Sequence, residues 1–320
     1  MTNILITGGY GFIGSNLIYS LLSYKEFKIF VIDNFSKNKI TKINQKVKFF
    51  KNDILNINQI NSLKKKIDIV IHLAASAEIL INKENEDKYF SDNVTGLQEV
   101  LNFCAINNVK KFIFASSASV YGDTKNKKIR ENFKFNPMHF YGYTKFIGEK
   151  MTKFYSNINK IDFTILRFFN IYGPNSDAVI GTFLAQNFQN KKLTVFGRGA
   201  QMRDFLHVSD LSNAVIKILK NKKSKNKTYN LGSGKSVSIK YLSRLIGGKN
   251  VLFLPKRNDD ISISVANINR IFKDLNWKPK ISIEDGISSL KIQENNRLKK
   301  IKLKTPKKLT SIIKKFNKKL

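Results

Sequence analysis

Short apolar, β-branched runs occupy residues 3–7, 28–32, 47–51, 67–73, 111–116 and 162–168. Between them, at 16–24, 57–65, 96–107 and 141–155, apolar residues recur at three- and four-residue intervals. The runs predict strands and the intervals predict amphipathic helices. Strand and helix alternating at this spacing predict an α/β fold built on a doubly wound parallel sheet. After Pro174 the regularity weakens, with loops at 197–199 and 232–234 between helical segments. We expect a larger domain over 1–172 with a returning segment at about 203–232. A smaller mixed α/β domain is expected over 173–202 and 233–292, and a tail over 293–320.

Composition narrows the classes. The chain has 320 residues, 42% of them hydrophobic and 12% aromatic, as in a globular protein rather than a disordered one. No apolar run reaches the roughly 20 residues of a membrane span. The N-terminal stretch opens directly on a strand without a basic segment, so it does not read as a signal peptide. One cysteine, Cys104, and three histidines give neither an intrachain disulfide nor a metal cluster. A reduced, metal-free cytoplasmic protein is the expectation.

Lys and Arg number 57 against 23 acids, a formal charge of +34. That excess raises nucleic acid or an anionic membrane as partners. However, 49 of the cations are Lys and only 8 are Arg, alongside 36 Asn. A background rich in residues with A/T-rich codons accounts for much of the charge, and the bidentate Arg of nucleic-acid readers is scarce. Residues 291–320 hold 12 Lys or Arg and one acid, Glu294. There Leu309, Ile312, Ile313, Phe316 and Leu320 recur at helical spacing between lysines, so a basic amphipathic helix is expected. Such a helix packs on its own fold or a partner subunit, or lies on an anionic bilayer.

Chemistry begins at the first strand. It runs into Gly8, Gly11 and Gly14, spaced G-x-x-G-x-x-G, and then into a helix. Glycines there let backbone N–H groups approach a pyrophosphate at a helix N-terminus. Asp33 closes the second strand, where an acid accepts hydrogen bonds from ribose hydroxyls and repels a 2′-phosphate. NAD is thus favoured over NADP. Asp53 and Ile54 after the third strand suit the adenine, and Leu73, Ala74 and Ala75 after the fourth allow close approach of the cofactor. Tyr141 and Lys145 stand at i and i+4 on one helix face. A nearby ammonium lowers the pKa of a phenol and makes it a usable base. The hydroxyl-rich stretch 116–122 ends the preceding strand on the same side of the sheet.

In combination these motifs resemble the extended short-chain dehydrogenase/reductase family over residues 1–292, in particular its nucleotide-sugar epimerases and dehydratases. The resemblance implies a Rossmann domain. It selects Ser117 as the catalytic hydroxyl, four residues before Tyr121, and makes Tyr141 and Lys145 the catalytic pair. Further cofactor contacts are implied at Phe12, Ile13, Asn34, Asn93 and Phe168. The stretch 167–174 is similar to the RxxNxYGP segment, with Asn170 on the substrate diphosphate and Arg167 structural. Thr194 and Phe196 fall in the loop that packs on the nucleobase, and Arg203 in the RDF motif of the diphosphate clamp. Arg257 is a second phosphate contact, although Asp259 stands where RxGD has its glycine. Ser264, seven residues later, is small enough to admit an N-acetyl group on the sugar.

The reaction implied is transient oxidation of a UDP-hexose or UDP-N-acetylhexosamine, with C4 epimerisation through a 4-keto sugar. Dehydratases of the family carry an Asp-Glu pair after the catalytic hydroxyl, and here those positions are Ala118 and Ser119. Decarboxylation of a UDP-uronic acid is an alternative enzymatic reading, and an NAD-sensing module a non-enzymatic one. The resemblance also implies a homodimer that pairs the 96–107 and 141–155 helices.

Overall fold

The computed structural model describes residues 1–37, 44–77, 85–124, 128–247, 250–256 and 261–304. Strands β1 (Thr2–Thr7), β2 (Phe27–Asp33), β3 (Val47–Lys51), β4 (Ile69–His72), β5 (Lys111–Ser117) and β6 (Asp162–Phe168) form where the apolar runs predict them. Helices α1 (Phe12–Leu21), α2 (Glu86–Phe90), α3 (Gly96–Ile106) and α4 (Phe140–Ile158) lie between them. Next come β7 (Asn170–Tyr172), α5 (Val179–Phe188), β8 (Leu193–Phe196), β9 (Met202–Arg203) and β10 (Phe205–His207). The chain continues through α6 (Val208–Lys220), β11 (Lys227–Leu231), β12 (Val237–Ser238) and α7 (Ile239–Ile246). It ends with β13 (Val251–Leu254), β14 (Ile263–Ser264), α8 (Asn269–Leu275) and α9 (Ile283–Lys304).

Seven parallel strands form the main sheet in the order β11-β6-β5-β4-β1-β2-β3. The chain leaves β1 toward β2 and β3, then crosses back to β4, so the order reverses beside β1. Ligands of such sheets bind at that switch point, outside the carboxyl ends of the strands. One face of the sheet is covered by Leu17 and Leu21 of α1 with Leu211 and Val215 of α6. The other is covered by Leu97, Val100, Leu101 and Phe103 of α3. A separate core of Ile180, Phe183, Leu242, Ile246 and Ile287 unites α5, α7 and α9 beside the smaller sheets.

Two helix predictions change. The helix expected over 16–24 starts at Phe12, because extended Gly11 leaves its carbonyl free to accept the Ser15 N–H at 3.0 Å. The stretch 57–65 is not one helix but two 3₁₀ turns, Ile54–Gln59 and Asn61–Leu63. Ile60 leaves helical geometry between them (φ −85°, ψ 84°), while Ile54, Ile57 and Leu63 still reach the core. The helical spacing was therefore a true signal of burial and a misleading one of element type. Past residue 292 the chain continues α9 to Lys304 without a break. The amphipathic pattern from Leu309 to Leu320 lies outside the described residues, as does Arg257. Among the described residues no helix is long and apolar enough to cross a membrane.

A buried ion pair ties α4 to the sheet. Glu149 and Arg167 are 0% and 2% exposed. The Arg167 Nε and Nη2 donate to the two Glu149 oxygens at 2.8 and 2.7 Å, a bidentate pair. The Ser116 hydroxyl donates to Glu149 at 2.6 Å. On its other side Arg167 donates to the Tyr121 hydroxyl at 2.6 Å and the Glu131 carbonyl at 2.8 Å, and Tyr121 donates to Asn230 at 2.6 Å. The rings of Tyr121 and Phe135 each lie 4.8 Å from the guanidinium. Burial pulls the Arg167 pKa down, but the Glu149 hydrogen bonds and charge hold it above its ordinary value. Removing one partner strands the other charge in the core, so Glu149→Ala should lower the unfolding free energy by about 3–5 kcal/mol. The double variant Glu149→Met/Arg167→Met should lose less, and urea titrations at pH 7 of both proteins check the order.

Candidate functional site

The glycine turn is shaped by what stands behind it. Gly8 has φ +66°, and a Cβ there would lie 2.8 Å from the Ala74 backbone. A Cβ on Gly14 would lie 2.5 Å from the Gly8 carbonyl oxygen, so only glycine lets α1 start this close to the turn. The result is a cleft lined by Gly8, Gly11, Asp33, Asn34, Asp53, Ile54, Leu73, Ala74 and Ala75, nine of the predicted cofactor residues. Phe168 belongs to the core beside the cleft, and partly buried Phe12 and Ile13 pack against that core.

Within the cleft the two Asp33 oxygens accept the N–H groups of Tyr10 and Phe35 at 2.9 and 2.8 Å. They are aimed by backbone alone, and a carboxylate oxygen has a second lone pair for a ribose hydroxyl. Asn34 donates to Asp53 at 2.8 Å, and Asp53 also caps the following turn by accepting the Leu55 N–H at 3.0 Å. Glycines without room for a side chain, an acid at the end of β2 and small residues after β4 fit a dinucleotide. Asn93, also expected at the cofactor, is bonded to Ser76, a residue of the cleft wall. Buried in a π-turn at Ser91–Thr95, its amide accepts from the Ser76 N–H at 2.8 Å and donates to the Ser76 carbonyl at 2.9 Å. It donates to the Thr144 hydroxyl as well, at 3.1 Å. Asn93 thereby couples the loop after β4 to α4.

Ser117, Tyr141 and Lys145 come together at the carboxyl end of β5. Gly142 lets them do so: a Cβ there would lie 2.7 Å from the Ser119 carbonyl oxygen, so the first turn of α4 rests on the 118–121 turn. Burial raises the Tyr141 phenol to about 12, and a hydrogen bond with Ser117 pulls the other way. The Lys145 ammonium is 4% exposed and donates to the Ala115 carbonyl at 2.9 Å. It stands 5.8 Å from the centre of the Tyr141 ring and 5.1 Å from that of Phe114. Burial lowers it to about 8. Beside it His72, fully buried and bonded to the Thr7 hydroxyl at 2.8 Å, is held neutral by burial and by the Lys145 charge.

The predicted substrate residues form two groups. Asn170, Arg203 and Ser264 lie on adjoining strands of the small sheets: Asn170 is paired with Phe205, and Ser264 with Arg203. Thr194 and Phe196 lie on β8, against β13. Thr194 is engaged by Gln186, which accepts its N–H at 3.1 Å and donates to its hydroxyl at 3.0 Å. Two residues escaped the sequence reading. Glu149 continues the Tyr141, Lys145 spacing by another four, an acid on the buried face of the helix. Asp204 is fully buried, beside Arg203 in the RDF motif.

Lys145 gives a test with a definite sign. Its pKa falls from 10.5 to about 8 on folding, so the folded chain binds the proton less tightly than the unfolded one. The penalty is complete below pH 8 and fades as pH rises toward 10.5. Lys145→Met should therefore stabilise the protein at pH 7 by up to about 3 kcal/mol, less the lost Ala115 hydrogen bond. The gain should shrink toward pH 10.5 in urea titrations at stepped pH.

The NAD dependent epimerase/dehydratase family model matches residues 4–232. A putative UDP-glucose 4-epimerase of Methanocaldococcus jannaschii is 31% identical over 308 residues, spanning 92% of this chain and 99% of its own. The crystal structure of UDP-glucose 4-epimerase with UDP-glucose from Thermotoga maritima matches with a TM-score of 0.86 and 27% identity, over 92% of this chain and 99% of that one. UDP-glucuronic acid 4-epimerase from Bacillus cereus, in complex with UDP-glucuronic acid and NAD, matches with a TM-score of 0.82 and 30% identity, over 90% and 97%. On the family match and the extent of these likenesses, this chain belongs to the NAD dependent epimerase/dehydratase family.

Proposed function

We propose that this protein is a UDP-sugar 4-epimerase acting on a UDP-hexose or UDP-N-acetylhexosamine. The observation that carries the reading is the cluster at the end of β5. Tyr141 is bonded to Ser117 and has the Lys145 ammonium near its ring, with Ala118 and Ser119 where a dehydratase needs carboxylates. NAD is the cofactor of the family; held in the cleft of Gly8, Gly11, Asp33 and Asp53, it would supply reversible hydride acceptance at the sugar C4. The residues of the chain do the rest. Tyr141 Oη takes the proton from the C4 hydroxyl as the C–H bond breaks, and gives it back on return of the hydride. Ser117 holds the same oxygen by a hydrogen bond. Lys145 supplies the positive charge that makes the phenolate affordable in a buried site, where burial alone opposes it.

The sugar must turn over between the two hydride transfers, so its hexose is held loosely while its diphosphate is held firmly. Asn170, Arg203 and Arg257 are the residues we assign to the diphosphate, with Phe196 and Thr194 near the nucleobase. Ser264 leaves room at C2. The homodimer we infer uses α3 and α4, whose outer faces expose Ile106, Phe154 and Ile158 at 67%, 63% and 60%.

Separate incubations with UDP-glucose, UDP-N-acetylglucosamine and UDP-glucuronate should give the C4 epimer of at least one of the first two, read by chromatography of the products. Conversion of UDP-glucuronate alone would overturn the substrate assignment. Tyr141→Phe should lower turnover by about 10²-fold or more, the typical size of a lost general acid-base group. Its NAD content should stay that of the parent. Sedimentation should give a dimer mass for the parent and a monomer mass for Phe154→Asp/Ile158→Asp.

A further inference from the structure

We infer that Asp204 is a positioning residue for the diphosphate clamp, holding Asn170, Arg203 and the strand of Ser264 in one fixed arrangement without touching substrate itself. The inference rests on the UDP-sugar reading above and deepens it.

Asp204 is the residue between β9 and β10, and it is 0% exposed. Its backbone is used on both sides. The carbonyl oxygen accepts the Asn170 N–H at 3.0 Å and the Asn170 side-chain amide at 3.2 Å. The N–H donates to the Ser264 carbonyl at 3.1 Å. Arg203 is its chain neighbour and stands opposite Ser264 in the parallel pair of β9 with β14. Three of the residues assigned to substrate thus meet at one peptide unit on either side of Asp204.

The carboxylate then locks that unit to two further segments. One oxygen accepts the Ser233 N–H at 2.6 Å and the Ser233 hydroxyl at 2.7 Å. The other accepts the Gly234 N–H at 2.9 Å and the Ala266 N–H at 3.0 Å. Gly232 is pressed against it, since a Cβ there would lie 2.6 Å from the same oxygen. The Ser233–Gly234 turn leads into β12, which pairs with β9 opposite Arg203, and Ala266 follows β14. The carboxylate therefore joins the flanking strands of the three-stranded sheet β12-β9-β14 across its central strand.

These four donors are uncharged. Burial raises the Asp204 pKa, and the hydrogen bonds from Ser233, Ala266 and Gly234 oppose it. A buried acid with only neutral partners is an expensive way to hold a sheet together, because an apolar residue would avoid its desolvation. What the carboxylate adds is geometry: four acceptor directions that fix one turn and a strand end beside Arg203. A forked guanidinium recognises a diphosphate only if its fork is aimed, so this rigidity acts on affinity rather than on the chemical step.

The experiment compares the full-length parent with Asp204→Asn and Ser233→Ala. An amide cannot accept all four of these hydrogen bonds, because one of its two heavy atoms is a donor. Ser233→Ala removes one donor and leaves the carboxylate in place. Asp204→Asn should raise the KM for the UDP-sugar at least 10-fold and weaken binding of UDP alone, by calorimetry, to the same degree. Its kcat should stay within 3-fold and its NAD content unchanged. Ser233→Ala should move KM and UDP affinity the same way by a few-fold with an unchanged Tm, and it decides the matter if Asp204→Asn does not melt cooperatively. Parent-like KM and UDP affinity in the variants would overturn the inference, as would a loss confined to kcat. A parent that binds no UDP would instead remove the UDP-sugar reading, and this inference with it.

Discussion

The position of the groups we assign to the chemistry depends on the buried pair of Glu149 and Arg167. Helix α4 carries Tyr141, Lys145 and Glu149 at successive four-residue steps, so all three share one face. Glu149 is the anchor of that face. Its bidentate partner Arg167 belongs to β6, and Ser116, which also donates to it, belongs to β5 beside Ser117. The pair therefore sets the helix against β6 and against β5, the strand that carries Ser117, the hydroxyl we assign to the reaction. A hydrophobic contact at the same place would allow the helix to slide or rotate by a few tenths of an ångström. A forked, fully desolvated pair does not.

The same constraint separates two kinds of buried cation. Arg167 has a carboxylate of its own and costs little once paired. Lys145, four residues before Glu149 on the helix, spends its donors on a carbonyl and faces aromatic rings. With Glu149 claimed by Arg167, the Lys145 ammonium has no carboxylate partner among the described residues and is left for the role proposed for it beside Tyr141. Stability is given up at that lysine, as is common where a site needs an unneutralised charge.

Much of this was legible in the sequence, and what was not has physical reasons. The strands stood out because strands buried in a parallel sheet are apolar runs, and the glycine turn stood out because its backbone tolerates no Cβ. The 57–65 stretch misled because burial of Ile57 and Leu63 needs only one side of a turn, which a 3₁₀ segment provides as well as an α-helix. The hydrogen bonds of Asn93 to Ser76 and Thr144 join residues 17 and 51 positions apart, a partnership that no local pattern displays. Glu149 escaped the reading although it stands four residues beyond Lys145 on the same helix face. Its pairing with Arg167 escaped too, because ion pairs across a sheet leave no spacing in the sequence. Asp204 was hidden for the same reason: its four donors come from residues 29 to 62 positions away.

The order of the main sheet has a consequence for how the chain is made. Strand β6 is complete at Phe168, but its outer neighbour β11 begins only at Lys227, after α5 to α6 have been laid down. During synthesis the nascent sheet therefore emerges with β6 as an open, apolar edge, available for wrong pairing with other chains. The late strand acts as a closing seam. Until it arrives, Tyr121 and Glu131 also lack Asn230, which accepts from the first and donates to the second. The polar network behind α4 is thus finished in the same event that seals the sheet, so a chain with that network complete is one whose aggregation-prone edge has already been covered.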